Sequence, residues 1–167
     1  MEKVNRPHHK WQWQIAVFFL IAFLVIAGDQ LSKIWIRSNL LAGQSIFEAG
    51  LFRLTYVQNT GAAFGLFQGH SSVLAVAGLI GTIVLLLCGL FLQRRYPLLN
   101  RRLTNPALGL ILGGTIGNLI DRIRFGYVTD FIDFSIWPAF NIADSATVIG
   151  TIILAYSLLS LAKSEKG

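Results

Sequence analysis

Residues 11–28 read Trp-Gln-Trp-Gln-Ile-Ala-Val-Phe-Phe-Leu-Ile-Ala-Phe-Leu-Val-Ile-Ala-Gly, 18 positions between Lys10 and Asp29 without a charge. As a helix this stretch is about 27 Å long, close to the thickness of a bilayer's hydrocarbon core. The pattern recurs. Residues 103–120 lie uncharged between Arg102 and Asp121, and 145–162 lie uncharged between Asp144 and Lys163, each again 18 residues. A fourth uncharged run, 54–93, is too long for one span. Its first part holds Asn59, Gly61, Gly65, Gln68, Gly69 and His70 and reads as loop, whereas 73–92 is apolar throughout. The expectation is an all-α membrane protein with four transmembrane helices, over about 11–28, 73–92, 103–120 and 145–162.

Composition agrees with that reading. Of the 167 residues, 54% are hydrophobic and 13% charged, against about 25% charged in an ordinary soluble domain. A cleavable signal peptide would also place Lys10 beside an apolar stretch. No small-x-small cleavage site leads into a soluble domain, however, and three further spans follow, so the first helix is read as uncleaved. The single cysteine, Cys88, sits in the second span. It can form neither a disulfide within the chain nor a thiolate metal site, and reads as a small core residue.

The net charge of +6 could suggest a nucleic-acid partner, but its distribution argues otherwise. Nine of the 14 basic residues fall in three segments: Lys3, Arg6 and Lys10; Arg94, Arg95, Arg101 and Arg102; Lys163 and Lys166. With an even number of spans these segments share one side, which the positive-inside rule makes the cytoplasm. The excess charge is a topology signal, aided by anionic membrane lipid, and no nucleic acid is expected.

The two segments left outside are unlike each other. Between 29 and 72, the stretch Phe52-Arg53-Leu54-Thr55-Tyr56-Val57 is rich in β-branched and aromatic residues, with Gly43 and Gly50 as punctuation. It predicts a small β-rich element on the outer membrane face. Between 121 and 144, Phe125, Tyr127, Phe131, Phe134, Trp137 and Phe140 suit the headgroup zone, so this segment is expected to dip into the interface. No linker or repeat divides the chain, and residues 1–167 read as one domain. In the third span, Gly109, Gly113 and Gly117 are spaced four apart, a stripe that lets a neighbouring helix approach closely.

Five of the eight acidic residues converge at the outer end of these helices: Asp29, Asp121, Asp130, Asp133 and Asp144. Ionisable groups at membrane depth are costly and mark function by default. Each also has a plain structural reading. Asp29 and Lys33 are four apart and can pair along a helix. Asp121 precedes Arg122 and Arg124 and can be a neutralised helix end. Asp144 can be an N-cap. Asn118 and Arg122 share one helical face. Asp130 and Asp133 have no basic residue within four positions, so neither has a local cation to hold it ionised. Two carboxylates brought close in a low-dielectric site cannot both ionise, and one keeps a proton. The ionised member can take a proton from water while its partner polarises a carbonyl, which hydrolyses an amide without metal or cofactor. Spacing leaves open whether Asp130 or Asp133 joins Asp144. Other hydrolytic sets fail: no H-E-x-x-H or G-x-S-x-G motif is present, and His8, His9 and His70 lie on opposite sides of the membrane.

Five blocks carry a family resemblance: Asp29-Gln30-Leu31-Ser32-Lys33, Asn59-Thr60-Gly61-Ala62-Ala63-Phe64, Gly113-Gly114-Thr115-Ile116-Gly117-Asn118-Leu119-Ile120-Asp121-Arg122, Val128-Thr129-Asp130-Phe131, and Phe140-Asn141-Ile142-Ala143-Asp144-Ser145. In this order, with four spans, they resemble the lipoprotein signal peptidases (signal peptidase II), an aspartyl endopeptidase family. The resemblance implies that Asp130 and Asp144 are the catalytic dyad. It implies that Asn59, Gly61, Asn118, Arg122 and Asn141 line or shape the site, and that Asp29 and Lys33 support it. The implied substrate is a prolipoprotein whose cysteine carries diacylglycerol, cut on the amino side of that cysteine. The implied place is the bacterial cytoplasmic membrane, with both termini in the cytoplasm and the active site near the outer face. The alternative from another class is a small four-helix carrier that uses the outer-face aspartates as proton-binding groups. Against it, transport needs ionisable groups near the bilayer midplane, where spans one, three and four have none.

Overall fold

The apolar part of each uncharged run folds as a helix. The computed structural model describes residues 7–62, 66–92 and 103–164. The basic residues Lys3, Arg6, Arg94, Arg95, Arg101, Arg102 and Lys166 therefore lie outside the described residues, as do Ala63 and Phe64. Helix α1 spans Pro7–Asn39, and Asp29, the expected end of its span, is ten residues short of its terminus. Charge ends a hydrophobic run without ending a helix, because Asp29, Lys33 and Arg37 repeat every four residues and fall on one face. Helix α2 spans Ser71–Leu87 and runs on through a π-helical turn, Cys88–Leu92. Helix α3 spans Thr104–Phe125 and α4 spans Ile142–Ser164. Helix α3 stops at Gly126, whose φ of 75° only glycine adopts without strain.

Among the described residues, three segments are long and apolar enough to cross a membrane: Gln12–Asn39, Ser71–Phe91 and Ile142–Ser160. Phe23, Leu24, Ile80, Val84, Ile149 and Ile152 are exposed along them, a surface suited to lipid. Helix α3 is not among the three. It is the enclosed one, packed against α1, α2 and α4 and buried from Thr104 to Asp121 along much of its surface. The core between these helices is Phe18 and Ala22 of α1 with Leu108 and Leu112 of α3, flanked by Leu85, Leu86, Ile116 and Leu154. The glycine stripe sets how close the helices come. A Cβ on Gly109 would lie 2.7 Å from the Phe18 carbonyl oxygen, and one on Gly113 would lie 2.7 Å from Val25 Cβ. On the other face, a Cβ on Gly114 would collide with the Ala143 carbonyl and Thr147 Oγ1 of α4.

The segments that follow α1 and α3 join in one antiparallel sheet in the order β1-β2-β3-β4: β1 is Ser45–Ala49, β2 Phe52–Asn59, β3 Val128–Phe134 and β4 Trp137–Phe140. The first two strands answer the expected β-rich element. The second segment, read from its aromatic residues as interfacial, supplies the other two strands: β3 pairs with β2 and β4 with β3. Val128, Thr129, Phe131, Ile132 and Phe134 are the β-branched and aromatic residues that suit a pleated strand. Ile36 and Leu40 from the last turns of α1 pack with Tyr56 and Phe131 beneath the sheet. That second core docks β3, and with it Asp130, on the end of α1.

Candidate active site

Two rows of α3 face different neighbours. Gly117 and Asp121, four apart, face α1; Asn118 and Arg122, four apart, face a cavity. The α1 stripe meets the first row. Lys33 Nζ lies 2.8 Å from Asp29 Oδ2, 3.3 Å from Asp121 Oδ2 and 2.9 Å from Asn118 Oδ1, so all three ammonium protons have acceptors. Asp29, Lys33 and Asp121 are fully buried. Buried charges persist only when paired and hydrogen-bonded, and here each one is. Asp29 Oδ1 also accepts the Ala143 backbone N–H at 3.0 Å. Asp29 and Asp121 are thereby more than the helical pair and helix-end charge that their local sequence suggested.

Asn141, immediately before α4, is the joint of the site. Its Oδ1 accepts the Asp144 N–H at 2.9 Å, and Asp144 Oδ2 accepts the Asn141 N–H at 3.3 Å. This is a reciprocal capping box, with Asn141 as cap and Asp144 at the third helical position. Asp144 is thus the partner of the cap residue. With its Oδ1 occupied, Asn141 turns Nδ2 toward Asp130 Oδ1 at 2.7 Å and Asn118 Oδ1 at 3.1 Å. Asn118, its own oxygen held by Lys33 and Asn141, donates Nδ2 to Asp144 Oδ1 at 2.7 Å. Asn59 completes the set, donating to Asp130 Oδ2 at 2.9 Å. Three asparagines therefore hold the carboxylates of Asp130 and Asp144 in one hydrogen-bonded array.

Asp130 and Asp144 line a cavity of about 680 Å³ together with Asn59, Asn118 and Arg122. The rest of its wall is largely apolar, including Leu119, Trp137, Phe140, Val148 and Ile149. Burial first, and then the neighbouring charge of Asp144, together raise the pKa of Asp130 to about 7 against the opposing bonds from Asn59 and Asn141. Asp133 is elsewhere. It sits opposite Arg53 in the β2–β3 register, and its carboxylate pairs with that guanidinium at 2.5 Å. Arg122 donates Nη2 to the Gly61 carbonyl at 3.1 Å, and Gly61 donates its N–H to Asn59 Oδ1 at 2.9 Å. Its Nε is buried without a partner. No group of three or more metal-binding side chains occurs among the described residues.

The residues that the sequence singled out lie in one region of the fold. Asn59, Asn118, Arg122, Asp130, Asn141 and Asp144 meet at the cavity or in the array behind it. Gly61 is one hydrogen bond away, and Asp29 and Lys33 stand on the far side of Asn118. The sequence reading missed Gln30, Arg37 and Thr129. Gln30 Nε2 reaches the Gly117 carbonyl at 3.1 Å and Asp121 at 3.3 Å. Arg37 reaches Asp121 and Thr129. The four-residue repeat from Asp29 through Lys33 was the available signal for Arg37.

Fold and site together define a polytopic membrane protein with two buried carboxylates at the head of an apolar cavity. Comparison with known proteins narrows that class. The family model described as signal peptidase (SPase) II matches residues 21–160. A lipoprotein signal peptidase of Dehalococcoides mccartyi (strain ATCC BAA-2266 / KCTC 15142 / 195) is 48% identical over 151 residues, covering 90% of this chain and 92% of that protein. One of Moorella thermoacetica (strain ATCC 39073 / JCM 9320) is also 48% identical over 151 residues, covering 90% and 97%. Among solved structures, a bacterial membrane enzyme determined by the in meso method at 2.3 Å resolution matches with a TM-score of 0.76 and 31% identity, over 87% of this chain and 88% of that one. The chain belongs to the signal peptidase II family, a family of proteases. Family membership leaves the carrier reading without support.

Proposed function

We propose that the protein is an aspartyl endopeptidase that removes the signal peptide from diacylglyceryl-modified prolipoproteins, cutting on the amino side of the lipidated cysteine. The observation that carries this reading is the shared array in which Asn141 bonds both Asp130 and Asp144 at the cavity wall. One proton shared by the two carboxyls, with the pKa of Asp130 raised to about 7, suits acid/base work near neutral pH. The ionised carboxylate takes a proton from water as the water oxygen attacks the scissile carbonyl carbon. The protonated carboxyl gives its proton to the carbonyl oxygen. The gem-diol intermediate then breaks its C–N bond: one hydroxyl returns its proton to the carboxylate that had given one up, the departing amine takes the proton that the other carboxyl had drawn from water, and a new carboxyl and amino terminus result with the dyad again holding one proton. Asn118, Asn141 and Asn59 hold the carboxyls; Arg122, its Nε unpartnered, supplies donors to substrate carbonyls.

Helix α3 is the fourth span in this account. Because α1, α2 and α4 cover it, it meets protein more than lipid, and its lower hydropathy follows from that position. The nine clustered basic residues support, by the positive-inside rule, a topology with both termini in the cytoplasm and the dyad near the outer face. Membrane lipid and the diacylated substrate are the partners. The test is direct: purified protein in detergent, given a diacylated prolipoprotein, should release an intact signal peptide and a shortened lipoprotein. Cleavage of the unlipidated precursor at an equal rate would remove the lipid from the recognition.

A further inference from the structure

We infer that Arg37 is a positioning residue for Asp130, acting through Asp121 and Thr129; this rests on the reading of Asp130 and Asp144 as the dyad. Arg37 lies near the outer end of α1 and does not line the cavity. Its Nη1 donates to Thr129 Oγ1 at 2.9 Å and lies 3.4 Å from Asp121 Oδ1. Its guanidinium covers the Phe125 ring at 4.5 Å. Asp121 Oδ2 in turn accepts the Thr129 backbone N–H at 2.9 Å. Thr129 is fully buried and immediately precedes Asp130. The residue before the proposed acid is thus gripped at its backbone and its hydroxyl by one ion pair, bridging α1, α3 and β3.

Charge balance points the same way. The fully buried carboxylates of Asp29 and Asp121 share a single buried ammonium, Lys33. One negative charge would remain, and Arg37 supplies the second cation. An uncompensated carboxylate there would disfavour ionisation of its neighbours. The groups around the dyad are Lys33 from α1, Asn118 and Arg122 from α3, Asn59 from β2 and Asn141 before α4, with Asp121 behind them against Lys33. Lys33 favours the charged form of Asp130. Weakening the neutralisation of Asp121 opposes it. Arg37→Gln, which keeps a donor but removes the charge, should therefore move both limbs of the kcat pH profile upward. It should also lower kcat about 10- to 100-fold and leave KM unchanged, since Arg37 does not touch the cavity. Arg37→Lys, which keeps the charge, should return the limbs toward wild type.

The deciding measurement is hydrogen exchange of the full-length protein in detergent micelles, read beside the kinetics. In Arg37→Gln, exchange of the backbone amides of 128–131 should accelerate at least tenfold while amides of α2 stay at wild-type rates. If that variant does not accumulate folded, Thr129→Val, which removes only the hydroxyl that Arg37 holds, should accelerate the same amides in the same direction. Wild-type exchange at 128–131 together with an unshifted pH profile overturns the inference. If the wild-type protein itself fails to cleave a diacylated prolipoprotein, the functional reading falls, and the exchange rates alone still decide whether Arg37 holds this strand.

Discussion

Gly117→Ala puts one methyl group against the charged network behind the site. Its Cβ would lie 2.7 Å from Asp29 Oδ2 and 3.2 Å from Ala143 Cβ, where ordinary contacts begin at 3.4 Å. The carboxylate has nowhere to retreat. Oδ2 is held by Lys33 at 2.8 Å and Gln30 at 3.1 Å, and Oδ1 accepts the Ala143 N–H at 3.0 Å. Overpacking a filled interior costs about 1–3 kcal/mol, and losing a hydrogen bond to a charged group costs about 1.5–3 kcal/mol. Since both fall on one contact, a loss of roughly 3–5 kcal/mol is expected. Ala143 is in the first turn of α4, next to Asp144, so a shifted helix start should also lower cleavage about 100-fold. Gly28→Ala is the control, with nothing within 4 Å of its added methyl; alanine in a helix interior should stabilise by about 0.5–1 kcal/mol. Stability is read by titrating the protein from mild detergent into SDS, and activity on a lipidated precursor. Wild-type stability and cleavage in Gly117→Ala would refute the idea that this close approach holds the site.

Arg122→Ala should impair cleavage with little loss of folded protein, and Arg122→Lys should rescue it poorly, since a point charge cannot replace a planar fork; full activity in the alanine variant would make Arg122 a helix-end charge only. Cleavage should fall as pH rises above about 7, when Asp130 loses its proton, and again at low pH, when both carboxyls hold one. The stability consequence has a definite sign. Because the folded pKa of Asp130 is raised from 3.8, its contribution is complete below that value and is lost as pH rises through about 7. Unfolding of wild type relative to Asp130→Asn should therefore grow easier between pH 4 and 7, and a constant difference would exclude the raised pKa. In a Cys88→Ala background, cysteines placed at 5, 98 or 164 should resist an impermeant thiol reagent in intact cells while one at 70 labels; labelling at 98 would overturn the proposed topology.

Absence of charge made the helices legible, because a membrane penalises charge more strongly than a soluble core does. The same signal misplaced the end of α1. Asp29, Lys33 and Arg37 look like a membrane boundary in one dimension, yet in the folded chain they form an internal stripe against α3. Strands β3 and β4 were hidden by their aromatic residues, which suit an interface as well as a sheet. The run of β-branched and aromatic residues from Val128 to Phe134 was the better guide. Within the site, Asn118 and Arg122 were legible from helical spacing. The partners of Asp130 and Asp133 were not. Asn59 and Arg53 come from β2, 71 and 80 residues away in sequence, and only strand pairing decides which acid meets which residue. The family resemblance, rather than spacing, chose Asp130 over Asp133 for the dyad.

That choice is tested most directly by comparing three near-isosteric substitutions in one cleavage assay. Asp130→Asn and Asp144→Asn remove the proton-transfer groups while preserving shape, and each should lower cleavage by several orders of magnitude while folded protein accumulates. The double variant should be little worse than either, because groups acting as one unit give non-additive losses. Asp133→Asn removes only the partner of Arg53, a cation whose side chain is 45% exposed, and should keep most activity. Single-turnover cleavage of a diacylated prolipoprotein by the purified variants supplies the measurement. Loss of cleavage in Asp130→Asn and Asp144→Asn, with Asp133→Asn near wild type, is the predicted result. Cleavage surviving in both dyad variants, or lost in Asp133→Asn but not in Asp130→Asn, would contradict it.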